Sequence, residues 1–152
     1  MDFQRIACAA ALCFALAPAA GCGGSARVGL AGKNFYATWD NGRKFLLEFG
    51  PDGKTQRYTG VVGKSNNETV DIETVAVAPD IYMVSWVESD GFTVTRVDNL
   101  ATMTSQAYWS WDEKGRRVGK LHAGKLEPTT MTRERLFHEN PALESNPPDP
   151  PR

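Results

Sequence analysis

The feature that most constrains this chain is a rhythm of short β-prone runs cut by turn chemistry between residues 32 and 126. The runs are KNFYATW, KFLLEF, KTQRYTGVV, ETVDIETVAV, IYMVSWVE, FTVTRVDN, MTSQAYWSW and RVGKLHAGKL, most of them rich in branched and aromatic side chains. Asn41-Gly42 and Asp90-Gly91 accept the positive φ that tight hairpins demand, while GPDG at 50–53, APD at 78–80 and DEKG at 112–115 make slightly longer turns. Eight such strands in hairpin connection predict an all-β fold, an antiparallel up-and-down barrel, because closure removes the sticky edges of a meander. A sandwich needs longer crossing connections than this spacing provides. A barrel of this strand number holds packed side chains or one small ligand.

The flanks differ in kind. Residues 1–21 join a short head carrying Arg5 to an apolar, alanine-rich run from Ile6 to Ala20, too short to span a membrane as a mature helix, and read as an export signal. PAAGC at 18–22 resembles the lipobox of bacterial lipoproteins, which makes Cys22 the expected lipidated first residue of an envelope protein anchored in the membrane; a soluble periplasmic or secreted product of ordinary cleavage is the alternative. Residues 22–31, rich in Gly, Ala and Ser, read as a flexible tether, and residues 127–152 as an extension whose proline-rich end builds neither ladder nor core. Within it TTMTRERLF suggests a short helix capped by Thr130 or Thr132, with Met131, Leu136 and Phe137 as apolar contacts.

Composition excludes several classes of function. Once Cys8 and Cys13 leave with the signal and Cys22 carries lipid, the body has no thiol for disulfides, thiolate metal sites or nucleophiles. The 17 basic and 18 acidic residues are interspersed, which gives no nucleic-acid footprint. His122 and His138 stand without ligand-spaced partners, so neither a metal nor a cofactor is expected. Asp71 and Glu73 alternate with Val70 and Ile72 and mark a wet strand face; Ala107, Trp109 and Trp111 share a face suited to core or lumen wall.

The hairpin at 81–99 carries the candidate site. A two-residue Asp90-Gly91 loop makes Ser89 and Phe92 partners, so Glu88 faces Thr93, Trp86 faces Thr95, Val84 faces Val97 and Tyr82 faces Asn99. The surface holding Arg96 and Asp98 is then solvent-facing, and Tyr82, Val84, Trp86 and Glu88 face the lumen. Glu88 is either a desolvated acid or base beside Trp86 or the wet end of a strand before a turn.

These residues carry a resemblance. GKNFYATWDNG, TGVVG at 59–63 and IYMVSWVESDGFTV resemble segments of bacterial phenolic acid decarboxylases, and SWVESDGFTVTRVDNL through the GKL ending at Leu126 is more similar still to the MoaF-like domains, named for molybdenum cofactor biosynthesis protein F. Both are calycin, lipocalin-like barrels, and the resemblance spans the predicted body. It implies a lumen glutamate at Glu88, whereas the carboxylate-gripping tyrosines of the decarboxylases fall on Ala37 and Trp39 and their arginine near Lys64. Ala37 and Trp39 offer no phenol, and Lys64 offers charge without a two-pronged fork.

The expected function is therefore binding of a small apolar or aromatic molecule in the lumen, with Trp39, Lys64, Tyr82, Trp86 and Glu88 as lining residues. The alternative is a lyase or isomerase using Glu88 as acid or base, and a third reading is an interaction protein with a packed lumen. Oligomeric state is open, a homodimer included.

Overall fold

The computed structural model describes residues 29–63 and 67–144; the signal segment, Cys22, Lys64 and the proline-rich end lie outside them. Nine strands follow in order: β1 (Asn34–Trp39), β2 (Lys44–Phe49), β3 (Thr55–Val62), β4 (Thr69–Asp71), β5 (Glu73–Ala78), β6 (Ile81–Val87), β7 (Thr93–Asn99), β8 (Thr104–Glu113) and β9 (Arg116–Thr129). A helix, α1 (Arg133–Glu139), comes after them. The sheet order is β4-β3-β2-β1-β9-β8-β7-β6-β5, with every described pair antiparallel. This is an up-and-down barrel, nearly closed, with β9 returning to pair with β1.

The count of nine rather than eight comes from one run. The segment read as a single strand, ETVDIETVAV, changes partner at Ile72: Thr69–Asp71 pairs with β3, and Glu73–Ala78 pairs with β6. The N–H of Ile72 leaves the ladder and donates to Lys54 O at 2.9 Å. The two sheet edges are thus halves of one stretch of chain. Leu30, placed by the sequence reading in the tether, is buried and joins the core.

Alternation fills the interior from both sides. Phe35, Ala37 and Trp39 of β1, Phe45, Leu47 and Phe49 of β2, Val84 and Trp86 of β6, and Ala107 and Trp109 of β8 form one apolar cluster. Asp71 and Glu73 are exposed, as a wet face requires.

The hairpin between β6 and β7 departs from the expected register. Its loop has three residues, Ser89 to Gly91, closed by Glu88 N–H to Phe92 O at 2.7 Å and Gly91 N–H to Glu88 O at 2.9 Å. The Asp90 carboxylate accepts the Phe92 N–H at 2.8 Å, and Gly91 takes a φ of 83°. Trp86 therefore faces Val94, Val84 faces Arg96 and Tyr82 faces Asp98. One extra loop residue moves all of β7 by one place and turns its other face inward. Arg96 and Asp98, expected in solvent, are each only 1% exposed.

Their burial is supported chemically. Arg96 Nε donates to Asp98 Oδ2 at 2.9 Å and Nη2 donates to Gln56 Oε1 at 2.6 Å. Ser105 donates to Asp98 Oδ1 at 2.7 Å. The guanidinium also lies over Phe49 and Trp86, 5.4 and 5.2 Å from the ring centroids, an arrangement that suits a delocalised, weakly hydrated cation.

Helix α1 is fixed to the outer face of β2 and β3. Thr132 is the N-cap, its hydroxyl accepting from Arg135 N–H, and Leu136 is the buried residue. Arg57 bridges Glu48 and Glu134 at 2.7 and 2.6 Å. Arg133 reaches the carbonyls of Tyr58 and Glu68 and the hydroxyl of Thr59. A short helix with this little apolar surface is held largely by these polar contacts.

Candidate functional site

Strand direction alternates, so the hairpins after β1, β6 and β8 share one end of the barrel. The rings near that end meet in series. Trp39 is 5.4 Å from Trp109, Trp109 is 6.4 Å from Phe45, Phe45 is 6.3 Å from Tyr58, and Tyr58 is 6.4 Å from Trp86. Phe92 sits between Trp109 and Trp111, 6.2 and 5.9 Å away, the latter pair stacked. Most of these contacts are edge-on, the geometry that aligns ring quadrupoles.

Two titratable side chains meet this aromatic set. Glu88, immediately after β6 and in phase with Val84 and Trp86, is half-buried, and its carboxyl pKa is pushed up to about 7. Burial is the main cause, with the nearby charges of Asp90 and Glu68 adding to it; the Tyr58 hydroxyl and Trp86 indole oppose it. Trp86 Nε1 donates to Glu88 Oε1 at a long 3.4 Å. Tyr58 is buried, and its hydroxyl, though close enough to feel Glu88, has no formed hydrogen bond among the described residues. Burial and then Glu88 push the Tyr58 phenol above its ordinary range, so it stays protonated and can donate.

The second group is His122, buried on β9 with its ring 4.2 Å from that of Trp109. Its Nδ1 lies 2.7 Å from Asp40 Oδ1. Asp40 is held in turn by Ala123, whose N–H reaches Oδ2 at 3.1 Å and whose carbonyl takes the Asp40 N–H at 2.9 Å. The hydrogen bond to His122, then that from Ala123, lowers the Asp40 pKa.

Beside the interior lies a cleft of about 540 Å³ where β4 and β6 run without a ladder between them. Val70, Ile72, Trp86 and Val87 form its apolar lining, and Glu68, Asp71 and Glu73 its acidic one. Glu68 crosses one end, accepting the Ser89 N–H at 3.1 Å and the Ser89 hydroxyl. Among the described residues no three His, Cys, Asp or Glu side chains come together as a metal would require.

The MoaF-like family model matches residues 31–122, which is almost the whole barrel. The chain belongs to the MoaF-like family. One solved structure similar to this MoaF-like barrel is that of a candidate beta-lactamase from Burkholderia vietnamiensis, at 28% identity and a TM-score of 0.60, covering 68% of this chain and 98% of that one. The comparison with curated proteins gave no match.

In the MoaF-like barrel the proposed lining residues separate. Trp86 and Glu88 lie together and face Tyr58. Trp39 joins the same aromatic series from the other side, through Trp109. Tyr82 lies two alternations away along β6 from Trp86, its hydroxyl crowding the backbone at Gly29 beyond the opposite end of the strand. Lys64 is outside the described residues.

Tyr58 and the Asp40–His122 pair were missed by sequence reasoning. Tyr58 alternates with Gln56 and Gly60 in KTQRYTGVV, so the period-two pattern alone would have put it on an interior face. Asp40 was read only as turn chemistry, and its partner is 82 positions away.

Proposed function

We propose that this barrel binds a small aromatic or apolar molecule carrying a polar group, at the end where Tyr58, Trp86 and Glu88 meet. The observation that carries the reading is the buried Tyr58 hydroxyl, which has no well-formed hydrogen bond among the described residues, beside a Glu88 carboxyl whose pKa is pushed up to about 7. Leaving such a hydroxyl unpaired costs free energy that a ligand acceptor would restore. A neutral Glu88 donates and an ionised one accepts, so the pair suits either kind of polar group. The surrounding rings supply the apolar contact.

Acid-base catalysis by Glu88 is the second reading, favoured by that same pKa, since a general acid or base works best near the operating pH. A decarboxylase grip has little support: Ala37 and Trp39 stand at the tyrosine positions that the resemblance assigns. Lactam hydrolysis, suggested by the description of the Burkholderia protein, has little support either. Among the described residues Ser85, Ser89, Ser105 and Ser110 bond to Thr95, Glu68, Asp98 and Thr93 rather than to a histidine or lysine.

Titration with a hydroxycinnamate, a fatty acid and an aromatic amine, followed by tryptophan fluorescence, tests the binding reading. Saturable quenching by one class supports it, and none by any class sinks it. Glu88→Gln then separates the readings, since turnover would vanish while affinity for an apolar ligand changed little. We further propose that the barrel acts outside the cytoplasm, tethered by lipid on Cys22; Cys22→Ala should release it from membranes and remove the mass of the acyl chains.

A further inference from the structure

The Asp40–His122 pair ties the β1–β2 turn to β9, a task the Asp40 contacts to the Ala123 backbone already perform. An interior position against Trp109 is served at lower cost by an apolar ring, because a buried imidazole must find partners for two nitrogens. Here one meets a partner and the other stays open. Nδ1 meets the Asp40 carboxylate at 2.7 Å, while Nε2 has no hydrogen bond among the described residues and is not one of their sealed, unpartnered atoms, so solvent or a ligand can reach it. A carboxylate accepts and does not donate, so it fixes the proton of the neutral imidazole on Nδ1 and leaves the lone pair on Nε2. Asp40 itself cannot swing away easily: both its backbone N–H and its second oxygen are held by Ala123. The ring is thus oriented by a carboxylate that the backbone orients in turn.

We infer that His122, oriented by Asp40, is a second polar anchor of this barrel, at which Nε2 accepts a hydrogen bond from the hydroxyl of an aromatic ligand. The ligand class follows from the surroundings. An oriented acceptor selects a donor, and the rings of Trp109 and Trp39 beside it select an aromatic carrier, so a phenol or hydroxyaryl compound fits where its ether does not. The inference rests on the reading that the aromatic end of the barrel holds a ligand. His122 here is a binding residue, and no step of bond making is assigned to it.

Calorimetric titration with 4-ethylphenol and 4-ethylanisole, identical but for the methyl cap on the oxygen, tests it. The wild-type protein should prefer the phenol about tenfold, the size of one net hydrogen bond. His122→Phe keeps a ring against Trp109 and should abolish that preference without weakening the ether. Asp40→Asn, on the exposed hairpin, should lower it part-way by removing the charge that fixes the tautomer. If both probes bind and His122→Phe keeps the wild-type preference, the inference is overturned while ligand binding stands. If neither probe binds the wild-type protein, the ligand reading falls, and this inference with it. Nitrogen NMR of the ligand-free protein, taken at a pH high enough for the ring to carry a single proton, gives an independent readout: that proton is expected on Nδ1, and a proton found on Nε2 overturns the assignment.

Discussion

Replacing Arg96 by methionine should be among the most damaging single changes available to this barrel. The substitution keeps most of the side-chain volume between Phe49 and Trp86 but removes the donors at 2.9 Å from Asp98 and 2.6 Å from Gln56. Among the described residues Asp98, 1% exposed, would keep only the Ser105 hydroxyl at 2.7 Å as a side-chain partner. Gln56 would lose its one bonded atom, because its side-chain nitrogen already lacks a partner among the described residues. Breaking a buried pair on one side costs about 3–5 kcal/mol, as it strands the other charge. For a domain of this size that lowers the melting temperature by roughly 10–20 °C. Urea unfolding followed by tryptophan fluorescence measures the cost, and an unchanged slope would show that the fold itself is retained. The double variant Arg96→Met with Asp98→Leu should recover at least half of the loss, since paired apolar replacements of buried ions are often neutral. A cost of less than about 1 kcal/mol for the single variant would refute the reasoning, because Asp98 would then be reaching solvent or taking up a proton cheaply.

The raised Glu88 pKa makes the folded state bind its proton more tightly than the unfolded chain does, so this group's contribution to stability is full below about pH 4.5 and is lost as pH rises through about 7. Glu88→Gln should therefore match the wild type near pH 4 and exceed it at pH 8, by on the order of 1–2 kcal/mol after allowance for partial solvation, in paired denaturant curves. Gly124 has no room for a side chain: an added Cβ would lie 2.7 Å from the Trp39 ring, so Gly124→Ala should cost about 1–3 kcal/mol and shift the tryptophan emission. Thr132→Ala removes the α1 cap and should cost about 1 kcal/mol, visible as faster hydrogen exchange at Arg135 and Leu136.

How far the fold could be read from sequence depended on what each signal measures. Asn-Gly and Asp-Gly pairs mark where the chain turns, and alternation marks which residues share a face, so the meander and the inward set on β6 were both legible. Loop length was not. Asp-Gly fits a two-residue turn or the end of a three-residue one, and the choice here is made by the Asp90 carboxylate capping Phe92 N–H. That single residue reversed the face of β7, and charge then reinforced the error, because Arg96 and Asp98 looked like a wet surface until Gln56 and Ser105 supplied their partners. The break at Ile72 left no mark either, since the residues on both sides of it favour strands equally. For the site, Glu88 and Trp86 lie two positions apart in the chain and so could be paired from sequence. Tyr58 and the Asp40–His122 contact depend on strand pairing across the barrel, which alternation alone does not specify.

The seam at Ile72 has a consequence for how the chain can be cut. Every other junction described in the barrel is a hydrogen-bonded ladder, but β4 and β5 are joined through the backbone of one residue. New termini placed in the β1–β2 or β8–β9 turns would leave each ladder intact. New termini at residue 72 would release two short, unpaired edges at once, next to the exposed Val75 and Val87. Circular permutants opened at the turns should stay monodisperse, and one opened at the seam should aggregate, so at this point the continuity of the chain takes the place of hydrogen bonding in keeping the barrel shut.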